Sequence, residues 1–398
     1  MRLTGNCLGK KKNEESRLDS ALNVNKELSS SRRHKRGGLL ISTTPHSLTH
    51  TTQDSVQDSI SFPAPSRSSA NRDYRELKRL IAQHHLLDKQ PGYYLYKFAL
   101  TFGLLALSLV FLLLCENLWL QLLNALFLGF VSAQVAFLGH DAGHRQILPT
   151  ARGNDLIGYF VSNLVSGASF SWWLDDHNRH HAHTNDLQHD PNLQFPVLAV
   201  DSSQLEGKRP FQRFIIKHQK FFFLPLLTLA SFNLKGGSIK FMLQNRFATR
   251  TMEALLIAVH YLLYFGLVVG ALGWWSLPFV VLHQLSAGLF LGAVFAPNHK
   301  GMPIMEGEAR LDYLRSQVLT SRNVRAHPIT DFLYGGLNYQ IEHHLFPSIP
   351  RNQMPKLQSI VKPFCKEREV SYHETSTWGS YREIMDFLHE VSAPLRRK

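Results

Sequence analysis

Two long windows of the chain carry no basic residue: Lys97 is followed by none until Arg145, and Arg250 by none until Lys300. In the first, residues 98–115 are almost wholly apolar (FALTFGLLALSLVFLLLC), Glu116 and Asn117 form a polar break, and residues 118–139 resume as LWLQLLNALFLGFVSAQVAFLG. The second window repeats this plan over 254–272 and 275–297, joined through Gly273 and Trp274. A helix needs about 20 mostly apolar residues to cross the hydrocarbon core of a bilayer, and each run is close to that. A buried helix in a soluble core could account for one such run, but two runs of double length without a basic residue fit membrane spans better. The pattern predicts an all-α integral membrane protein with four transmembrane helices, at about 98–115, 118–139, 254–272 and 275–297, arranged as two hairpins.

All Lys and Arg lie outside those hairpins. The positive-inside rule therefore puts the turns near Asn117 and Gly273 on the translocated side and everything else, both termini included, in the cytoplasm. Two other segments read as interfacial or packed rather than spanning: 221–232, which is short and holds Pro225, and 155–170, which is rich in Gly, Ser and Asn. Residues 1–72 differ in kind, with 12 basic and 6 acidic residues, many Ser and Thr, and no apolar periodicity. They are expected to be a disordered basic tail, leaving 73–398 as the membrane domain. No apolar stretch resembling a cleaved signal precedes residue 98, and Glu14, Glu15 and Asp19 argue against an organelle transit peptide.

Composition sharpens this. The net charge of +13, from 43 basic and 30 acidic residues, is compatible with nucleic acid or with an anionic membrane surface; the hairpins select the membrane and no nucleic acid is expected. Three cysteines (Cys7, Cys115, Cys365), none in a C-x-x-C pair, cannot form a disulfide framework or a four-thiolate metal site. There are 21 histidines, so a metal here would be held by imidazole.

Seven of those histidines fall between His140 and His189. His140 and His144 are four apart at the end of the second span, on one helical face. His177, His180 and His181, at offsets of three and four, again gather on one face. Gln340, His343 and His344 repeat that offset with glutamine first, and Asn298-His299 ends the fourth span. Eight imidazoles at one membrane boundary suit two metal ions better than one, and imidazole suits iron as well as zinc. Asp141, Asp175, Asp176, Asn178, Asn298 and Glu342 stand beside these groups as candidate acceptors for the free ring N–H, which would fix tautomers. His183 and His189 break the helical offset of the second group and read as surface or outer positions, while His260 and His283, inside spans, read as packing residues.

With these groups in place, the sequence resembles the membrane-bound fatty acid desaturases of the histidine-box superfamily over roughly residues 93–372. The passages that carry the resemblance are GHDAGH ending at His144, WWLDDHNRHHAHTN ending at Asn185 with DPN at 190–192, FAPNH ending at His299, and NYQIEHHLFPSIPR ending at Arg351. Gln340 in the first place of the third box resembles the front-end subgroup, which inserts a double bond between an existing one and the carboxyl end. The resemblance implies a cytoplasmic helical cap holding a histidine-ligated dimetal site. It implies two iron ions, a non-heme diiron centre, bound by His140, His144, His177, His180, His181, His299, His343 and His344, with Gln340 beside them.

The implied reaction uses dioxygen and two electrons to place a cis double bond in a fatty acyl-CoA or acyl-lipid substrate. Breaking an unactivated C–H bond needs an oxidant that no side chain supplies. Trp172 and Trp173 are candidate wall residues of the substrate tunnel, although paired tryptophans also serve as interfacial anchors. Many front-end members carry a fused cytochrome b5 domain with an H-P-G-G signature. The only His-Pro pair here, His327-Pro328, is followed by Ile. Electrons are therefore expected from a separate carrier, a cytochrome b5 or a ferredoxin with its reductase. The membrane would be the plasma membrane in a bacterium and the endoplasmic reticulum in a eukaryote. The alternatives are a lipid hydroxylase of the same superfamily, which shares the ligands, a membrane zinc hydrolase using one H-x-x-x-H, and a metal transporter, whose sites lie nearer the bilayer midplane.

Overall fold

The computed structural model describes residues 67–305 and 311–397, and its regular structure is almost entirely helical. Contacts group Asn71–Lys398 into one unit and Met1–Ala70 into another, of which only 67–70 are described. The expected disordered tail, up to residue 66, lies outside the described residues. After α1 (Arg67–Gln83), α2 (Pro91–Leu114) and α3 (Leu118–Gly143) cover the first window free of Lys and Arg, α2 starting ahead of it. α4 (Ala151–Gly158) runs into a π-helical turn (Tyr159–Val165), and α5 (Phe170–Ala182) follows. α6 (Pro210–Lys217), α7 (Gln219–Leu227) and α8 (Ala230–Gln244) precede the second window, which holds α9 (Arg250–Leu272), a 3-10 turn (Gly273–Trp275) and α10 (Ser276–His299). The remainder is α11 (Tyr313–Leu319), α12 (Pro328–Leu333), α13 (Gln340–Leu345), α14 (Met354–Glu367), α15 (Thr377–Val391) and α16 (Ala393–Arg396). A two-stranded parallel ribbon pairs β1 (Asn323–Val324) with β2 (Glu374–Thr375), Asn323 opposite Glu374.

Three stretches are long and apolar enough to cross a membrane: α2, α3, and the 50 residues Arg250–His299 that contain α9 and α10. Fifty residues of unbroken helix would extend about 75 Å, but Gly273 interrupts this stretch at φ +54°, a left-handed conformation that glycine adopts without strain. The short apolar run around Pro225 is divided between α7 and α8, which are bent by 70° at their break and could together make a fourth span. The observed helices also extend beyond the expected limits, α2 starting at Pro91 and α10 reaching His299. Pro91 sits in the first turn of α2, where its missing N–H costs nothing.

The breaks have a chemical cause. The Asn117 side chain accepts the N–H groups of Trp119 (3.0 Å) and Leu120 (3.2 Å), which starts α3. Gln121 donates to the carbonyls of Leu112 (3.0 Å) and Cys115 (2.7 Å), satisfying the C-terminal end of α2. Across the same break Ser108 donates to Asn124 at 2.7 Å. Across the second, Tyr264 and His283 meet at 2.7 Å, and Val268 and Leu272 pack with Phe279. The indoles of Trp119 and Trp275, one from each break, lie 6.2 Å apart. Large apolar side chains such as Leu114, Trp119, Leu123, Leu262 and Leu277 are exposed, the pattern expected of helices that face lipid.

A second core sits away from these helices. Leu77 and Ile81 of α1, Leu314 and Val318 of α11, Ile341 and Leu345 of α13, and Leu357 and Val361 of α14 pack together. The third histidine group thus rides on a short helix whose apolar side is fixed by three others. The start of α5 is anchored differently. Glu253 in the first turn of α9 is fully buried and accepts from Ser169 Oγ (2.7 Å), Asn163 Nδ2 (2.9 Å), Thr249 Oγ1 (3.0 Å) and the Ser171 hydroxyl. Ser169 also caps α5.

Candidate metal centre

Four segments distant in sequence deliver the imidazoles to one place. His140 lies in the last turn of α3 and His144 is its C-terminal cap; His177, His180 and His181 lie along α5; His299 ends α10; His343 and His344 lie on α13. One ring nitrogen each of His140, His144, His177 and His343 falls within 4.8 Å of the others. His180, His299 and His344 form a second such group. His181 lies between them, its Nε2 3.1 Å from that of His177 and its ring stacked on His344 at 4.1 Å. Nitrogen meets nitrogen at 2.8 Å between His144 and His177 and at 3.3 Å between His180 and His299.

Burial, and then the neighbouring imidazoles, hold His144, His177, His181, His343 and His344 well below the ordinary histidine pKa. Neutral imidazole is the form that binds a metal. Among the described residues the buried Nε2 atoms of His140, His343 and His344 have no hydrogen-bond partner, an expensive condition for buried polar groups unless a ligand answers them. The residues therefore fit one metal ion at each group, with an all-nitrogen donor set suited to iron or zinc.

The groups that fix the rings are mostly not the ones adjacent in sequence. His180 Nδ1 meets both oxygens of buried Asp190 at 3.0 and 3.1 Å, His299 Nδ1 meets the Thr320 carbonyl at 3.0 Å, and His344 Nδ1 meets Gln317 Oε1 at 2.9 Å. Each contact turns the opposite nitrogen inward. Of the expected acceptors, Asp141 lies 3.6 Å from His140 Nδ1, beyond hydrogen-bond reach, and instead receives Arg351 Nε at 2.6 Å. Asp175 and Asp176 pair with Arg179, and Glu342 accepts from Asn323 (2.6 Å) and Tyr372 (2.7 Å). Asn178 is half-buried. Asn298 donates to Gln340 Oε1 at 2.9 Å, and Gln340 Nε2 lies 2.9 Å from His299 Nε2, so the glutamine belongs to the second group. Asp190 was readable only as the start of DPN; Gln317 and Thr320 had no sequence signal, because they reach the site through tertiary packing.

Trp173 stacks on His177 at 4.4 Å and contacts His140 and His144 edge-on. Gly143 makes this possible, since a Cβ there would stand 2.2 Å from the indole. Trp172 points elsewhere, packing by Gly237. His260 meets the Leu164 carbonyl and His283 meets Ser132 and Tyr264, so both are satisfied away from the clusters.

Comparison with known proteins adds an independent line. Residues 117–376 match the family model described as fatty acid desaturase. The chain is 31% identical over 326 residues to a Delta(8)-fatty-acid desaturase 2 of Arabidopsis thaliana, covering 78% of this chain and 72% of that one. It is 30% identical over 323 residues to an acyl-lipid (9-3)-desaturase of Borago officinalis, covering 78% and 72%. It is 28% identical over 344 residues to the Delta(6)-fatty-acid desaturase fat-3 of Caenorhabditis elegans, covering 82% and 76%.

Proposed function

The chain belongs to the fatty acid desaturase family, and from that membership and the buried imidazole clusters we propose that it is a front-end desaturase working at a histidine-ligated diiron centre. It is an oxidoreductase of lipid metabolism that acts on a fatty acyl chain with dioxygen. The observation that carries the metal reading is the convergence of seven imidazoles in two buried groups, with three Nε2 atoms left without a partner among the described residues. His140, His144, His177 and His343 would hold one ion; His180, His299 and His344 the other; His181 would serve at their junction. Bound there, two irons would supply the oxidising power, from dioxygen and two electrons, that removes two hydrogens from adjacent methylenes.

The protein's own part is to position and to exclude water. Asp190, the Thr320 carbonyl and Gln317 hold three rings with Nε2 inward. Trp173 covers the face of His177. Exchanging O and N in the amides of Asn298 and Gln340 would give Asn298 Oδ1, otherwise without a partner among the described residues, the Gln340 donor. It would also turn Gln340 Oε1 toward His299 Nε2. A side-chain amide oxygen can ligate iron, so Gln340 reads as part of the second site.

The membrane arrangement follows the same line. α2 with α3 and α9 with α10 would cross as two hairpins, supported by the Ser108–Asn124 and Tyr264–His283 contacts. The Trp119–Trp275 contact supports both turns lying on one side, and Lys and Arg favour the other as cytoplasmic, with the metal centre and its helical cap. A separate electron carrier, a cytochrome b5 or a ferredoxin, would dock on that basic face. The relatives named for Delta(8), Delta(6) and (9-3) positions, together with Gln340, support front-end insertion. Expression in a host fed defined unsaturated fatty acids, with mass spectrometry of the products, tests this. A new double bond between the existing one and the carboxyl end is expected; a hydroxylated chain without a new double bond contradicts it.

A further inference from the structure

Immediately after the second histidine group the chain makes a tight turn that brings three more metal-binding side chains together at the surface. His183, Asp186 and His189 each present one ligand atom within 4.8 Å of the others. His189 Nδ1 is 2.9 Å from Asp186 Oδ1, and the His183 and His189 rings lie 5.1 Å apart between centroids. Both imidazoles are exposed and the carboxylate is half-buried, so the trio opens to solvent. It belongs to neither buried group.

The turn is held rigidly. Asp186 N–H donates to the His183 carbonyl at 2.9 Å, and Asp190 N–H to the Asp186 carbonyl at 2.9 Å. Asp186 Oδ1 accepts the N–H groups of Gln188 and His189. Asn185 takes a positive φ of +55° and its carbonyl accepts the Met305 N–H at 2.8 Å. A preformed turn lowers the ordering cost of binding. Ligand atoms on a tetrahedral ion with bonds of 2.0–2.1 Å stand about 3.4 Å apart, so the spacing here needs only side-chain rotation to close. Among the described residues, the one ion pair Asp186 makes is with His189; no Lys or Arg competes for it.

We propose that His183, Asp186 and His189 form a separate mononuclear site for zinc, a divalent cation of borderline softness, with water completing its coordination. Two imidazoles and one carboxylate are the donor set such ions take when a position stays open for exchange. The site lies on the loop that supplies Asp190 to His180, so an ion there also stiffens the support of that ring.

The test uses purified full-length protein with its iron in place, titrated with cobalt(II) and followed by visible d–d absorption and by metal counting after desalting. Wild type is expected to take up one cobalt per chain more than either His183→Ala/His189→Ala or Asp186→Asn/His189→Gln, and zinc is expected to displace it. Iron content and product formation should remain as in wild type in at least the second variant, whose changes are close to isosteric. Equal cobalt uptake by wild type and both variants overturns the proposal. So does a loss of cobalt that occurs only together with loss of iron, since the ion would then have been reporting the buried centre.

Discussion

At the scale of single residues, His180 shows what this centre asks of a ligand. Its ring is buried, its Nδ1 is tied to Asp190, and its Nε2 faces His299 at 3.3 Å. Replacing His180 or His343 with Ala should abolish product formation while leaving membrane insertion intact, because a ligand is lost and no apolar helix is altered. Full activity in either variant would remove that residue from the site. Asp190→Asn keeps the shape but weakens the charge-assisted contact, and the loss of such a supporting group typically costs about 10–100-fold in metal affinity or activity. Iron content and turnover measured on the same preparation check it; a variant indistinguishable from wild type would mean that the Thr320 and Gln317 contacts suffice. The histidines were legible because their offsets of three and four are local. Asp190, Gln317 and the Thr320 carbonyl were not, since nothing in a linear pattern reports which acceptor a folded chain will bring to a ring 10 to 27 positions away.

At the scale of elements, the apolar helices were readable from runs lacking any basic residue, and Asn117 marked its break because an Asn side chain caps a helix start. The bend between α7 and α8 was only partly readable: Pro225 signalled disruption, but the observed break follows it, between Leu227 and Ala230. Least visible was the anchoring of α5. Glu253 sits inside an apolar window and its partners Asn163 and Ser169 lie 90 and 84 positions away. A buried carboxylate surrounded by hydroxyl and amide donors loses its match when it becomes an amide, which brings two donors of its own. Glu253→Gln should therefore destabilise the protein by about 1–3 kcal/mol and lower iron occupancy through displacement of α5. Thermal unfolding in detergent together with iron content checks this, and an unchanged melting temperature would show that Glu253 holds nothing in place. A comparable lock joins the first and third histidine groups, where Arg351 meets Asp141 across 210 positions. Removing one member of a buried pair typically costs about 3–5 kcal/mol.

At the scale of the whole molecule, we read the basic balance of the sequence as an orientation signal more than a ligand signal. Its 43 Lys and Arg residues avoid both apolar windows, and 12 of them lie in the first 72 positions. Deleting residues 1–66 should leave desaturation largely unchanged, since every imidazole of the two groups and every support named for them lies beyond that point. Product analysis on a well-inserted truncation tests this, and complete loss of turnover would assign the tail a part in the reaction.

The claim on which the rest depends is that the buried imidazoles hold two irons. Metal analysis of the purified, active full-length protein beside its His180→Ala and His343→Ala variants tests it most directly. Two irons per chain in the active protein, with iron reduced in each variant as its own group is broken, is the predicted result. A single zinc and no iron in protein that still turns over substrate would contradict it.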